Sequence, residues 1–349
     1  MSIQAIGLKN FTVFEDLLLD VSSDINIFVG ENGTGKTHLL KALYAACEFS
    51  KNENAHDILL KCFKENQQEA NLLRDKNIEQ LTISITADNI TRKHVRGSAL
   101  IPPAFEDLKR FNPNAKPLYS SKYFIELPQG KKFPAVYIPV KDMLTHSGVF
   151  LAMATKYRDF PFDKTLTDIV IKASQWKVNQ PPKLTLAILP LLEEMMDGTV
   201  VFEKDEFYIR KRNGQMIRFE LEAEGLKKVG LLWQLLMTDN LTENTILIWD
   251  EPEANLNPKF LPKTVECLLE LSRHGVQIFL STHNYIFAKY FDVLKNGDDK
   301  ILFHALYFDE PSDGVKCETQ PYFEYLKHND IATEFNQLLE RVYDIQIGD

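Results

Sequence analysis

The stretch Gly30-Glu31-Asn32-Gly33-Thr34-Gly35-Lys36-Thr37 decides the fold of this 349-residue chain. It matches the pattern G-x-x-x-x-G-K-[ST], a loop whose backbone amides hold the phosphates of a nucleotide. The apolar run at residues 25–29 precedes the loop, and apolar residues at helical spacing follow it over residues 39–47. Strand, glycine loop and helix is the order that the motif requires. The alternative, a chance glycine-rich turn, leaves this order unexplained.

The predicted nucleotide contacts extend from the loop into the helix that follows. Three glycines without a Cβ let backbone amides turn toward an anion, and the helix N-terminus adds its positive end. Lys36 is expected to reach the β- and γ-phosphates, and the Thr37 hydroxyl to bind Mg²⁺. The predicted ATP-binding residues are Asn32, Gly33, Thr34, Gly35, Lys36, Thr37 and His38. The expected cofactors are therefore ATP and Mg²⁺.

A second informative stretch, LIWDEPEANLNP, lies far along the chain at residues 247–258. Residues 246–249 are apolar without polar alternation, which is typical of a parallel strand covered on both faces. Ligands of open α/β sheets lie beyond the carboxyl ends of strands. This places Asp250 to hold Mg²⁺ and Glu251 to activate the attacking water. The alternative, a merely solvated acidic loop, is the weaker explanation beside a phosphate loop.

A histidine follows the next predicted strand. The helical stretch 258–274 and the apolar run 276–280 form a strand-helix-strand unit with the preceding strand, which predicts a right-handed parallel crossover. His283, directly after this run, should therefore lie at the same sheet edge as Asp250. We predict that His283 senses the γ-phosphate and that Glu251 is the catalytic base; a structural role for the histidine is the alternative.

These motifs resemble the ABC-type ATPases of the RecF, SMC and OLD lineage. DEPEANLNP is similar to that lineage's Walker B motif and D-loop, and Ser281-Thr282-His283 to its switch-histidine loop. The blocks IPVKDML (138–144) and EAEGLKKVGLLWQLL (222–236) are similar to segments of small bacterial OLD-like ATPases that lack a Toprim nuclease domain. The resemblance spans nearly the whole chain but is specific only in these blocks.

The resemblance implies a head-to-tail homodimer, or a higher oligomer, in which each subunit completes the other's ATP site. By position, Glu224 and Gly225 would form the signature that caps the partner's γ-phosphate, with Asn255 and Asn257 in the D-loop. The serine usual in that signature is absent, and an ordinary turn before a core helix is the alternative. Asp142 falls where the Q-loop lies, and either takes a magnesium-side role or none.

The predicted fold class is α/β: a P-loop NTPase with an ABC-ATPase-like mixed sheet flanked by helices and a mainly helical insertion. Residues 1–50 and 200–349 are expected to form the two lobes of the ATPase core, and 51–199 the inserted region. Within the second lobe, Asn213-Gly214 marks a hairpin turn.

Composition narrows the function classes. A net charge of −9 does not favour extensive coating of nucleic acid. The two basic clusters, Lys109-Arg110-Lys116 and Arg210-Lys211-Arg212, could contact DNA or be solvated surface. The four cysteines form no CxxC pair, no signal-peptide pattern is visible, and no apolar run approaches the ~20 residues of a membrane helix. A cytoplasmic protein without a membrane partner is expected.

Three functions compete at this point. The first is an ATPase that senses or regulates a separate effector protein, a nuclease, in bacterial defence against phage. The second is a RecF-like DNA-repair ATPase that clamps DNA. The third, the motor subunit of a transporter, requires a complete Leu-Ser-Gly-Gly signature, which this chain lacks.

Overall fold

The computed structural model describes residues 2–51, 58–64, 72–75, 80–87, 92–98, 122–128, 130–156, 162–309 and 314–347. The strands are β1 Ala5–Phe11, β2 Phe14–Asp20, β3 Ile25–Gly30, β4 Gln80–Thr86, β5 Arg92–Ser98, β6 Lys122–Pro128, β7 Ala135–Ile138, β8 Gly198–Glu203, β9 Glu206–Lys211, β10 Met216–Arg218, β11 Ile246–Asp250, β12 Gln277–Ser281, β13 Ile301–Tyr307 and β14 Lys316–Gln320. The helices are α1 Lys36–Lys51, α2 Ile58–Phe63, α3 Ser147–Lys156, α4 Lys164–Ala173, α5 Lys183–Met196, α6 Glu224–Met237, α7 Leu261–Arg273, α8 Tyr285–Leu294 and α9 Asp330–Ile347.

A six-stranded sheet forms the centre of the molecule, in the order β14-β13-β3-β12-β11-β7. The five strands from β13 to β7 run parallel, and β14 is antiparallel at one edge. The register pairs Asp250 of β11 with Ser281 of β12. Parallel strands end at the same edge, so β3, β11 and β12 deliver the glycine loop and both acidic and hydroxyl side chains to one place. The predicted mixed α/β sheet flanked by helices is confirmed.

Both faces of this sheet are covered, which explains the continuous apolar runs in its strands. Side chains alternate along a strand, so Leu247 and Trp249 belong to one hydrophobic cluster and Ile246 and Ile248 to another. The first cluster includes residues of α4 to α8, and the second includes α1 and the strands that open the chain. Packing on both faces thus holds the central sheet, and with it the edge at which its parallel strands end.

A second sheet, β2-β1-β4-β6-β5, lies over α1. Its first two strands, β1 and β2, form an antiparallel pair that precedes the glycine loop in the chain. Residues 51–199 contribute β4, β5 and β6 to this sheet and β7 to the central sheet, besides α2 to α5. The division of the chain into a two-lobed core and an inserted region remains a prediction, and these strands show that the two regions share both sheets.

The third sheet, β10-β9-β8, is antiparallel and leads into α6. Residues 212–215 connect β9 to β10, with Gly214 at a φ of 86°, as predicted for the hairpin. The basic cluster at Lys109, Arg110 and Lys116 lies outside the described residues, as does the loop around it. None of the helices in the described ranges is long and apolar enough to cross a membrane.

Candidate nucleotide-binding site

The glycine loop joins β3 to α1 in a conformation that glycine permits. Gly35 has a φ of 85°, and a methyl group placed on it would lie 2.6 Å from Val13 Cγ2. Lys36 is only 6% exposed, and its Nζ donates to the carbonyl oxygens of Gly30 and Glu31, each at 2.8 Å. Burial lowers the pKa of Lys36 to about 8, against the opposing effect of nearby carboxylates. The ammonium group is thus held by the backbone of the glycine loop itself.

Asp250 meets the glycine loop across a sequence separation of 213 residues. Thr37 Oγ1 donates to Asp250 Oδ2 at 2.8 Å, and Tyr137 Oη donates to the same oxygen at 3.2 Å. Ser281 Oγ donates to Asp250 Oδ1. The carboxylate is 3% exposed, so these three hydroxyls replace the water it has lost. A hydroxyl and a carboxylate oxygen side by side are ligands that Mg²⁺ prefers.

Glu251 and His283 face each other beside this pair. The distance from His283 Nε2 to Glu251 Oε1 is 3.7 Å, and each side chain is about one-third exposed. Burial lowers the pKa of His283, and the charge of Lys36 lowers it further. The nearby carboxylates of Glu251 and Asp250 oppose this lowering. Both predicted catalytic residues lie at the expected sheet edge.

The remaining predicted loop residues have mixed surroundings. Thr34 is buried, and its hydroxyl donates to the Glu31 carbonyl at 2.9 Å, whereas Asn32 and Gly33 are exposed. The His38 ring packs edge-on against Phe63, with 5.6 Å between ring centroids. Their contacts to nucleotide remain predictions.

The predicted signature and D-loop residues lie next to each other in the same chain. Gly225, in the first turn of α6, is buried against the loop that follows β11. Glu224, Asn255 and Asn257 are exposed, and Asn255 has a left-handed φ of 64°. Asn257 accepts a hydrogen bond from the Lys259 amide at 3.1 Å and so starts the turn before α7. Together these residues form an outward-facing surface rather than a part of the phosphate loop's own pocket.

Asp142 does not join the Asp250 cluster through any contact that the structure gives it. Its carboxylate accepts hydrogen bonds from the Leu144 amide at 2.9 Å and from the Thr145 amide and hydroxyl. Lys227 Nζ lies 3.9 Å from it. These contacts describe a carboxylate that caps a turn, so we do not assign Asp142 to the magnesium site.

Three residues of the site were not predicted from the sequence. Tyr137 reaches Asp250 from β7, the neighbouring strand. Glu253 is 8% exposed, and its Oε1 accepts from the Thr282 hydroxyl at 2.6 Å and from the His283 amide at 3.3 Å. Burial raises the pKa of Glu253 to about 7. Lys228 Nζ donates to the carbonyl oxygen of Glu251 at 2.8 Å. The sequence signals were position alone: Glu253 lies within the acidic motif, Lys228 within the α6 segment, and Tyr137 directly before the 138–144 block.

The fold and the convergence of Thr37 with Asp250 define a P-loop ATPase domain with an ABC-type mixed sheet. Comparison with protein families identifies it further. The chain belongs to the family described as "AAA domain, putative AbiEii toxin, Type IV TA system", whose model matches residues 74–288. A model described as "AAA ATPase domain" matches residues 1–117.

Individual relatives share shorter segments. The DNA replication and repair protein RecF of Lactococcus lactis subsp. cremoris is 36% identical over 76 residues, which is 22% of this chain and 21% of RecF. RecF of Clostridium botulinum is 38% identical over 77 residues, with the same two shares. The chain thus matches about a fifth of the length of these curated relatives. An SMC head solved with the C-winged helix domain of ScpA has a TM-score of 0.50 at 13% identity, covering 92% of this chain and 98% of that one. This last likeness shows the fold alone.

Proposed function

We propose that this chain binds Mg·ATP between the glycine loop and the end of β11 and hydrolyses it. The observation that carries the proposal is the 2.8 Å hydrogen bond between Thr37 Oγ1 and Asp250 Oδ2. It brings the two ligands expected for a hard cation to one point beside Lys36. Bound Mg²⁺ would supply charge that offsets the terminal phosphates.

In this proposal, residues of the chain bind the phosphates, hold the metal and transfer the proton. Lys36 binds the β- and γ-phosphates, and Thr37 and Asp250 hold the metal. Glu251 takes a proton from the attacking water, and His283 donates a hydrogen bond to the γ-phosphate. The 3.7 Å between Glu251 and His283 supports a shared reaction space for the two side chains.

We further propose that two chains assemble head to tail around ATP. The support is the outward-facing surface of Glu224, Asn255 and Asn257, which lies outside its own chain's phosphate loop. In the dimer this surface would face the partner's γ-phosphate. The assembly would then form and dissociate with ATP binding and hydrolysis.

The biological role we favour is regulation of a separate effector protein, a nuclease, in defence against phage. The family description, with its putative toxin of a toxin-antitoxin system, supports a defence role. The similarity to RecF over about 76 residues supports the second candidate, a DNA-repair ATPase. Of the basic residues that would contact DNA, Lys211 is 2.6 Å from Glu222, and Arg212 is 3.5 Å from Asp197. These pairings leave less positive charge for phosphates.

ATP titration of Lys36→Ala tests the nucleotide site. The variant should lose at least about 100-fold in ATP affinity, because an oxyanion loses a buried, charged donor. Lys41→Ala is the matched control: this lysine lies on the same helix but pairs with Asp163 at 2.6 Å. Unchanged ATP affinity in Lys36→Ala would refute the site.

Two assays separate the biological roles. Co-expression with the product of the neighbouring gene should give a complex whose nuclease activity depends on ATP and is lost with Lys36→Ala. Under the RecF-like alternative, the chain alone binds DNA only with ATP, and the affinity falls steeply with salt. ATP-dependent DNA binding without any effector would favour the second candidate over the first.

A further inference from the structure

Helix α6 contacts the loop after β11 at two points. Near its start, a methyl group placed on Gly225 would lie 2.7 Å from the Asn255 carbonyl oxygen and 2.8 Å from Leu256 Cα. One turn later, Lys228 Nζ donates to the Glu251 carbonyl oxygen at 2.8 Å. The helix that carries the proposed signature is therefore bonded directly to the residue proposed as the base.

The backbone of Glu251 needs such support. Its φ of 48° is in the left-handed region, which costs a residue with a Cβ about 1 kcal/mol. The Glu251 amide donates to Ser281, whose carbonyl and hydroxyl oxygens both lie at 3.2 Å. On the other side, the Glu251 carbonyl oxygen accepts from Lys228 Nζ at 2.8 Å and from the Ala254 amide at 3.2 Å. These contacts hold the peptide groups on both sides of Glu251, whose carboxylate lies 3.7 Å from His283 Nε2.

Lys228 is an unusual choice for a purely structural contact. Its side chain is 6% exposed, and burial lowers its pKa although the carboxylates of Glu253 and Glu251 oppose this. A buried ammonium costs free energy that a neutral donor would not. The neighbouring Lys227 is similarly buried at 4%, but its ammonium group pairs with Glu224 at 2.6 Å and lies 3.9 Å from Asp142. The ammonium group of Lys228 thus interacts with the acidic loop after β11, both through the Glu251 carbonyl and through the nearby carboxylates.

We infer that Lys228 is a positioning residue for ATP hydrolysis: it holds the backbone of Glu251 and transmits the position of α6 to the proposed base. The inference rests on the proposed ATPase function. Because Gly225 and Lys228 belong to one rigid helix, a movement of the signature surface on dimer assembly would shift the Glu251 carbonyl as well. Lys228 would thereby link the partner's arrival to the orientation of the base.

The experiment combines Lys228→Met with Glu251→Gln in the full chain and measures ATP turnover and ATP affinity. Lys228→Met should lower kcat about 10- to 100-fold, the scale expected when a catalytic group is misplaced by about 1 Å, and leave the ATP dissociation constant within about threefold. In the Glu251→Gln background the same substitution should cause no further loss. Lys228→Arg, which keeps a charged donor, should recover part of kcat.

Lys227→Met is the matched control, because any loss of kcat that it causes should multiply with the loss of kcat caused by Glu251→Gln. Multiplicative effects for Lys228→Met, or equal losses of kcat and ATP affinity, would overturn the inference. Should Lys228→Met fail to fold, the same cycle is run with Lys228→Arg, and independence from Glu251→Gln is again the refuting result.

A wild type that binds but does not hydrolyse ATP overturns the proposed function and this inference together, whereas an active wild type with an unaffected Lys228→Met overturns this inference alone.

Discussion

The candidate site has a metal side, around Asp250 and Thr37, and a signature side, formed by Glu224, Asn255 and Asn257. The two differ in how far their side chains are buried and hydrogen-bonded within one chain. On the metal side, Asp250 is 3% exposed and accepts hydrogen bonds from three hydroxyl groups. On the signature side, the Glu224 side chain is 54% exposed, and Asn255 and Asn257 also face solvent. The metal side is thus buried and hydrogen-bonded within the folded chain. The signature side is exposed, and in the proposed dimer it would face the partner.

The largest expected effect separates chemistry on the metal side from assembly on the signature side. Glu251→Gln should slow ATP hydrolysis by about 10³-fold, because an amide cannot accept the proton of the attacking water. ATP affinity should change little, so the ATP-linked dimer should persist and be visible by sedimentation. Glu243→Gln, at an exposed glutamate before β11, serves as the control. Hydrolysis at the wild-type rate in Glu251→Gln would exclude Glu251 as the base.

The metal side could largely be predicted from the sequence. Each functional segment comes at or just after the end of a strand that its apolar run predicts: the glycine loop, the pair Asp250-Glu251, and His283. The carboxyl ends of parallel strands lie at one edge of the sheet. The register between β11 and β12 then places Asp250 opposite Ser281. Local patterns were sufficient here because each residue's position follows from the strand that carries it.

The supporting contacts could not be predicted in this way. Tyr137 lies on β7, and nothing in its own segment indicates that β7 is the neighbour of β11. Lys228 is in a helix with another lysine beside it, and only the packing of α6 decides which one reaches Glu251. Asp142 shows the converse, since its predicted role depended on alignment with a family loop, whereas its side chain caps a local turn. Pairing between distant segments is decided by tertiary packing.

A second prediction tests how closely α6, which carries the signature side, packs on the loop after β11. Gly225→Ala should destabilise the fold by about 1–3 kcal/mol, because the new Cβ meets backbone atoms of Asn255 and Leu256 that have little room to move. Gly297→Ala is the control, since a Cβ there meets nothing within 4 Å and should change stability by less than about 0.5 kcal/mol. Chemical denaturation measures both. Equal stabilities of the two variants would contradict the close packing of α6 on the loop.

A third prediction concerns the core beneath the metal side. His304 is fully buried, stacks on Phe28 and lies between Thr319 Oγ1 at 2.9 Å and Asn26 Oδ1 at 3.2 Å. Burial lowers its pKa from 6.5 to about 3. The unfolded chain therefore binds a proton that the folded chain excludes between these values, so stability contributed by the neutral ring is complete above pH 6.5 and is lost as the pH falls toward 3.

The loss should reach about 1.4 kcal/mol per pH unit within that window. Because burial also raises the pKa of Glu253 to about 7, that carboxyl contributes a slope of opposite sign in both proteins. Denaturation curves between pH 4 and 7 should therefore give a free energy of unfolding that rises more steeply with pH in the wild type than in His304→Gln, whose side chain does not ionise. The ATP-linked dimer interface should be unaffected at pH 7, since His304 is far inside the core. Identical slopes for the two proteins would show that the ring does not remain neutral in the folded chain.

The smallest expected effect lies on the signature side and tests whether that surface meets a phosphate. Glu224 is in the first turn of α6, where its charge interacts favourably with the helix N-terminus by about 0.3–1 kcal/mol. Opposite a γ-phosphate the same charge would be repulsive.

Glu224→Ser and Glu224→Gln should therefore both lower the stability of the isolated chain slightly and tighten the ATP-linked dimer a few-fold. The effect on the dimer should be larger at low salt, because the charge is exposed. The two variants differ in size and share the loss of the charge and of its ion pair with Lys227, so agreement between them indicates an electrostatic cause. A dimer dissociation constant that is unchanged in both variants at every salt concentration would place Glu224 away from the partner's phosphate and leave α6 with a role within its own chain only.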